Sequence, residues 1–426
     1  MTAYKNMSKA ELEALKSQLE AEFENVKGMG LKLDMSRGKP AADQLDLSLP
    51  MLDLLKDGSE FKGVDGVDFR NYGLMDGTTE AKKLFAELMD VDPDHVVIFG
   101  NSSLNIMYDL IARAFLTGFC GNTPWCKLDK IKWLCPVPGY DRHFGITEHF
   151  GIEMINIPMN EDGPDMDLVE QYVNNDESVK GIWCIPKYSN PSGIVYSDEV
   201  VKRFANLKPA AKDFRIFWDN AYCVHHLYEK LEILNIAAEC EKVGNPDMYF
   251  EMCSTSKITF PGAGVAAMIA SPANVADLKK SMTIQTISHD KLNQMRHVEF
   301  LKNAEGVAAH MEKHAALIRP KFEAVLDTLQ KELDGLEIGS WIAPKGGYFI
   351  AFETLEGCAK KVIAMCKEAG VAMTPAGSTY PYHNDEKDTS IRIAPTFPSA
   401  SDLEKACEVF VLCVKYVSVV KILETK

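Results

Sequence analysis

The sequence predicts an α/β fold, a mostly parallel central sheet with helices on both faces, plus a smaller α+β domain made from both chain ends. Two observations carry this expectation. Between about residues 70 and 270, short continuous apolar runs alternate with helical patterns. Strands apolar on both faces need cover on both faces, which a largely parallel sheet between two helix layers provides. Beyond residue 270 the pattern turns helical over a long stretch, and strand-like runs resume only from about residue 346. The expected division is therefore 1–70 for the N-terminal part of the small domain with a loop, 71–300 for the large α/β domain, and 301–426 for the C-terminal part of the small domain.

Taken in order, Ser8-Lys9-Ala10-Glu11 is a capping box that opens an amphipathic helix, and Gly28 and Gly30 are natural places for it to stop. A loop follows, Met35-Ser36-Arg37-Gly38-Lys39-Pro40. The expected strands of the central sheet are VVIFG (96–100), IKWLCP (131–136), MINIP (154–158), GIWCIP (181–186), FRIFWD (214–219), MYFEMCS (248–254) and VAAMIAS (265–271). In the smaller unit, strands are expected near GGYFIAFE (346–353), VAMTP (371–375) and SIRIAP (390–395), and a last helix at the capping box Ser401-Asp402-Leu403-Glu404. No internal repeat, low-complexity tract or long linker interrupts this plan.

Bulk properties narrow the function. With 426 residues, 46% apolar and 25% charged, the chain can bury a large core and build more than one domain. Lys and Arg number 46 against 61 acidic residues, a net charge of −15, which disfavours general attraction to nucleic acid or anionic lipid but leaves room for a local basic pocket. The first thirty residues carry charges throughout and lack an apolar core of signal-peptide length, so the expectation is a cytoplasmic protein with no membrane partner. Eleven cysteines without a Cys-x-x-Cys pair argue against a disulfide framework and a zinc site, so no metal is expected. Cys184 and Cys413 sit in apolar runs and read as small core residues.

The decisive segment is Ser254-Thr255-Ser256-Lys257, directly after an apolar strand and before the Gly262-Ala263-Gly264 turn. A lysine just past a buried strand end suits Schiff-base formation, while flanking hydroxyls suit a phosphate. Alone, Ser-x-Ser-Lys also fits an exposed loop. Upstream, Asp219 closes an apolar strand and Tyr222 follows it: a carboxylate there can keep a pyridine nitrogen protonated, and a phenol can bond the ring's 3-oxygen. Further upstream, Asn190 lies in the turn Ser189-Asn190-Pro191-Ser192-Gly193 and could donate to the same oxygen. Singly, Asp219 fits a helix cap and Asn190 a plain turn residue. The order and spacing of the three motifs, each at a strand end, override those readings.

At these residues the chain resembles the fold-type I pyridoxal-phosphate-dependent aminotransferases, specifically the aspartate aminotransferase family, and the resemblance runs over nearly the whole chain. It implies that pyridoxal 5'-phosphate is the cofactor, that 71–300 is its binding domain, and that the loop in 1–70 belongs to the active site. Lys257 would anchor the cofactor and shuttle the proton at the substrate α-carbon. Asp219 would pair with the pyridinium, and Tyr222 and Asn190 would bond its 3-oxygen. Tyr140, in Pro138-Gly139-Tyr140, would stack on the ring, although a tyrosine packing at a strand end fits equally well on sequence alone. Ser102 and Ser103, in Gly100-Asn101-Ser102-Ser103, would cradle the phosphate with Ser254 and Ser256, helped by a helix end. Tyr72 would reach the phosphate of the other subunit, which implies a homodimer with shared active sites. Arg392, on an expected strand, would grip the substrate α-carboxylate with a planar fork.

One departure stands out. Relatives carry an arginine several residues after the lysine, whereas Ile258–Val265 has none, so the phosphate would lean on hydroxyls, amides and the helix end. This places the chain in an atypical, MocR-like branch. Gly38 aligns with the glycine of the family's N-terminal loop, which brings Arg37 and Lys39 toward the substrate; Arg142 and Lys187 are further cations expected nearby. A second cation suits a dicarboxylic substrate, so the leading expectation is transfer of the amino group of L-aspartate to 2-oxoglutarate by ping-pong chemistry, with amino acids and 2-oxo acids as partners. An aromatic or 2-aminoadipate aminotransferase, a lyase of the same fold, and a non-catalytic sensor module are the alternatives.

Overall fold

The structure is a computed structural model that describes residues 2–426. In chain order its strands are β1 Leu33–Asp34, β2 Val96–Ile98, β3 Lys132–Val137, β4 Glu153–Asn160, β5 Gly163–Pro164, β6 Val179–Cys184, β7 Arg215–Asp219, β8 Tyr249–Ser254, β9 Ala266–Ile269, β10 Gly339–Trp341, β11 Ile350–Thr354, β12 Val371–Ala372 and β13 Ser390–Ile393. The central sheet has eight strands in the order β2-β9-β8-β7-β6-β3-β4-β5. Its middle is parallel, as expected from the continuous apolar runs. Only β9, against both neighbours, and the short β5 run antiparallel.

The two-sided burial that the sequence implied is visible residue by residue. Along β7, Ile216 and Trp218 enter one apolar core, while Phe217 between them enters the other with Phe250 and Trp133. All five residues of the strand are buried. Removing each such aromatic or aliphatic side chain from water contributes on the order of 1.5–3 kcal/mol, so a polar residue in this run is tolerated only where it has a partner or a task.

A third core joins the two ends of the chain. Leu12, Leu19 and Phe23, on one face of the helix Lys9–Gly28, pack with Phe352, Val362 and Phe410. That helix has the expected capping box, with Ser8 and Glu11 each accepting from the other's backbone N–H, and Gly30 just beyond it takes φ +63. The 30-residue helix Ala304–Leu333 carries the chain from the central sheet into this core. The three-stranded sheet β10-β11-β13 lies there, and the two-residue β1 pairs in parallel with β12. β1, β5 and β10 were not expected, because two or three residues are too few to show a period.

The last helix differs in its start. Ser399, not Ser401, caps the helix Ala400–Thr425, accepting from Asp402 N at 3.1 Å. Both serines have an acid three positions on; the upstream one follows Pro398, after which the chain is free to turn helical at once. Cys184 and Cys413 are both fully buried. Among the described residues no helix is long and apolar enough to cross a membrane.

Candidate active site

A cavity of about 660 Å³ opens at the C-terminal ends of β7 and β8, where open α/β sheets place their ligands. It is lined by Ser36, Arg37 and Gly38 from the N-terminal loop, by Asn101, Ser102, Ser103 and Tyr140 from strand-to-helix turns, and by Asn190, Asp219, Tyr222, Ser254, Ser256, Lys257 and Arg392. Of the residues expected at the site, all but Tyr72, Lys39 and Lys187 therefore line one space. Tyr72 stands outside it, 76% exposed.

Asp219 ends a strand buried on both faces and is itself buried. Its Oδ2 lies 3.0 Å from Nε2 of His143, while its Oδ1 is buried without any hydrogen-bond partner. A buried acceptor left in that condition is costly unless a donor arrives from the cavity, and a protonated pyridine nitrogen is such a donor. His143 is held in turn by stacking on Trp183, with centroids 4.6 Å apart and planes at 15°. His143 went unread in the sequence. The only signal was its place three residues after Tyr140, one helical turn into Asp141–His149.

Lys257 follows β8 in a tight turn fixed by its neighbours: Thr255 Oγ1 accepts from Val265 N at 2.9 Å, and Ser256 Oγ donates to the carbonyl of Asn101 at 2.7 Å. The second bond ties the lysine loop to the phosphate-type turn. Lys257 Nζ lies 4.9 Å from the ring centre of Tyr222. Burial pushes its ammonium below the ordinary lysine value, with the charge of Asp219 pulling the other way. Burial likewise raises the Tyr222 phenol well above its usual range and the Tyr140 phenol to about 12.

Ser102 is the N-cap of the 15-residue helix Ser103–Thr117, yet its hydroxyl makes no capping bond. The free hydroxyls and the helix's N-terminal amides make a place for a dianion. Together with the orphaned Asp219 oxygen, they fit pyridoxal phosphate at both of its ends. In the stretch Ile258–Val265, a short 3-10 helix at Pro261–Ala263 stands where the sequence lacks an arginine. Arg296 lines a separate cavity of about 200 Å³ that shares Asn101 with this one.

Arg392 sits on β13, almost buried, with its guanidinium 4.8 Å from the ring centre of Phe349. Nη1 donates to Asp141 Oδ1 at 3.2 Å and Asn190 Oδ1 at 3.4 Å, and Nε to Thr374 Oγ1 at 3.4 Å. Neither Asp141 nor Phe349 was expected from sequence. Phe349 also explains Gly38, since a Cβ there would fall 2.1 Å from the phenyl ring. The loop is drawn over the cavity by β1 pairing with β12 and by Thr374 Oγ1, which donates to the carbonyl of Ser36 at 3.0 Å. Arg37 and Arg142 are exposed side chains on the cavity wall. Lys39 is turned away, its Nζ 3.9 Å from the ring centre of Phe397. Lys187, expected near the substrate, is a correction: it is buried and faces a different cavity, because the chain bends at Lys187 and Tyr188.

A buried histidine-paired acid with one oxygen free, a buried lysine of lowered basicity and a helix end with unpaired hydroxyls and amides match the site of a fold-type I aminotransferase. The chain belongs to the aspartate amino-transferase family, which it matches over residues 7–426. It is 44% identical over 398 residues to an aspartate aminotransferase of Corynebacterium glutamicum, covering 93% of this chain and 92% of that protein. It is 43% identical over 417 residues to a putative aminotransferase of Mycolicibacterium smegmatis, covering 96% and 97%. The crystal structure of an aspartate transaminase from Corynebacterium glutamicum superposes with a TM-score of 0.96 at 41% identity, covering 99% of each chain. The protein is thus an aminotransferase of a family that uses pyridoxal phosphate.

Proposed function

We propose that the protein transfers the amino group of L-aspartate to 2-oxoglutarate, giving oxaloacetate and L-glutamate in two half-reactions at one site. The observation that carries this reading is the placement of exposed Arg37 and Arg142 on the wall of the same cavity as Arg392. A substrate with a carboxylate at each end finds a cation for each. The aspartate aminotransferase named among the relatives supports the same choice.

In this reading the substrate α-carboxylate docks on Arg392, beside Asn190, and the loop Ser36–Gly38 with Phe349 covers it. The cofactor, when bound, supplies an electron-withdrawing ring that stabilises negative charge at the substrate α-carbon. Asp219, oriented by His143, keeps the pyridine nitrogen protonated, while Tyr222 and Asn190 bond the 3-oxygen and Tyr140 covers the ring. Ser102, Ser103, Ser254 and Ser256 hold the phosphate without an arginine, as in a MocR-like branch. Lys257 removes and returns the α-proton, and burial favours the neutral amine it needs for that task. The division at residues 70 and 300, a homodimer in which Tyr72 serves the partner's site, and a cytoplasmic location complete the proposal.

The test is the absorbance of the purified holoenzyme before and after adding L-aspartate with no 2-oxo acid. Conversion to the pyridoxamine form with stoichiometric oxaloacetate is the expected result. A spectrum that ignores aspartate but answers 2-aminoadipate or an aromatic amino acid would replace the substrate. Product that accumulates catalytically without any amino acceptor would replace transfer by a lyase reaction.

A further inference from the structure

A second cavity, of about 710 Å³, lies against the same strand end as the catalytic one but on its other side. Asp219 and Tyr222 line the catalytic cavity, whereas their chain neighbours Trp218, Asn220 and Cys223 line this one. The aminotransferase chemistry uses none of the latter residues.

Three buried polar residues, Lys187, Asn220 and Glu251, stand on its wall. Lys187 is only 4% exposed, yet its ammonium makes no hydrogen bond or ion pair among the described residues. Its Nζ opens onto the cavity, 6.0 Å from the ring centre of Tyr188, and burial holds its basicity below the ordinary lysine value. Asn220 is 7% exposed; its Nδ2 donates to Glu251 Oε1 at 2.9 Å, while its Oδ1 is buried with no partner. Glu251 itself is buried, and burial pushes its carboxyl up to about 7. The other charges facing Lys187 are already engaged: Glu232 pairs with Lys230 at 2.7 Å, and His226 Nδ1 sits 2.7 Å from the Tyr188 hydroxyl. What remains is a cation and an acceptor without partners, with apolar wall supplied by Trp218, Leu234, Ile236 and Met311.

We infer that this cavity is a second binding site, distinct from the catalytic one, for a small carboxylic acid that carries a hydrogen-bond donor beside its carboxylate and an apolar body, the class of 2-hydroxy acids and apolar amino acids. The carboxylate pairs with Lys187, the donor satisfies Asn220 Oδ1, and the body covers the apolar wall. A phosphate or a dicarboxylate is disfavoured, because Asp90, Glu87, Glu239 and Glu312 also line the space and repel a second negative charge.

The probe is (S)-2-hydroxy-4-methylpentanoate, which has no amine to react with the cofactor, titrated calorimetrically into the holoenzyme. Binding is expected in the wild type and in Arg392→Ala, which removes the catalytic carboxylate grip. It is expected to weaken by about tenfold or more in Lys187→Met, the loss of a charged hydrogen bond, and by about two- to tenfold in Asn220→Leu, the loss of a neutral one; both changes keep side-chain bulk. Two sites in the wild type, with one lost in Arg392→Ala and the other in Lys187→Met, supports the inference equally. It is overturned if the wild type does not bind the probe, or if Arg392→Ala abolishes binding while Lys187→Met and Asn220→Leu retain it.

Discussion

His143 Nε2 and Asp219 Oδ2 lie 3.0 Å apart in an interior where both side chains are almost fully buried. The pair leaves the remaining oxygen of Asp219 buried and without a partner at the cavity, the oxygen that in the proposed function pairs with the pyridine nitrogen. In the proposed function, removing the acid removes the partner that keeps the ring nitrogen protonated, and breaking such a buried pair costs about 3–5 kcal/mol, so Asp219→Ala is expected to cut kcat/KM by about 10²- to 10⁴-fold. His143→Leu removes only a hydrogen bond to the charged oxygen, worth about 1.5–3 kcal/mol, and is expected to cost roughly ten- to a hundredfold. Steady-state kinetics on both variants and the double variant decides the matter: a double variant no worse than Asp219→Ala shows that His143 acts through Asp219, and losses that multiply would show that it acts independently.

Arg392 and Asp141 make a second such prediction. In the proposed function the substrate carboxylate shares the guanidinium with an Asp141 oxygen 3.2 Å away. Asp141→Asn removes that competitor and is expected to lower the amino-acid KM a few-fold at unchanged kcat, the scale of a partly exposed ion pair. Arg392→Lys keeps the charge but loses the fork, and is expected to raise KM by about tenfold or more. A raised KM in Asp141→Asn would show that the acid orients the arginine and does not compete for it.

The difference between these residues marks what the sequence could convey. Lys257, Asp219 and Asn190 were legible because each falls where an apolar run stops, and a strand end is a property of local sequence. Arg392, inside a strand, was legible only through the family resemblance of Ile391-Arg392-Ile393-Ala394. His143, Asp141 and Phe349 were not, because their roles depend on where one element lands against another, and nothing local encodes that. Lys187 was misread through its closeness to Asn190: Ile185 and Asn190 line the catalytic cavity, but the bend at Lys187 and Tyr188, the latter at φ +51, breaks the alternation between them. The parallel sheet was legible from its continuous apolar strands; the reversed β9 was not, since a strand's direction leaves no mark on its composition.

Glu251 gives a prediction about stability. Its carboxyl is raised from the ordinary 4.5 to about 7 by burial, so between these values the folded chain holds a proton that the unfolded chain has released. Stability contributed by the neutral form is therefore full below about pH 4.5 and is lost as pH rises toward 7, by about 3 kcal/mol in all. Glu251→Gln, which keeps the shape and stays neutral, is expected to abolish this decline. Thermal unfolding across that range for both proteins tests it, and parallel curves would refute it.

Tyr72 is 76% exposed in the single chain and stands outside the cavity its chemistry is meant to serve. If it acts in the partner's site, then Lys257→Ala and Tyr72→Phe damage different chains' contributions to one active site. In a mixture refolded together, each hybrid dimer keeps one site with an intact lysine and an intact partner tyrosine. Random pairing makes about half the dimers hybrids, so about a quarter of wild-type activity is expected to return, well above either homodimer alone. Simple averaging of the two parental activities would place Tyr72 in its own chain's site or outside catalysis altogether. Affinity capture of one tagged chain from the same mixture separates these results from a failure to exchange subunits, because the untagged chain is retained only in hybrid dimers.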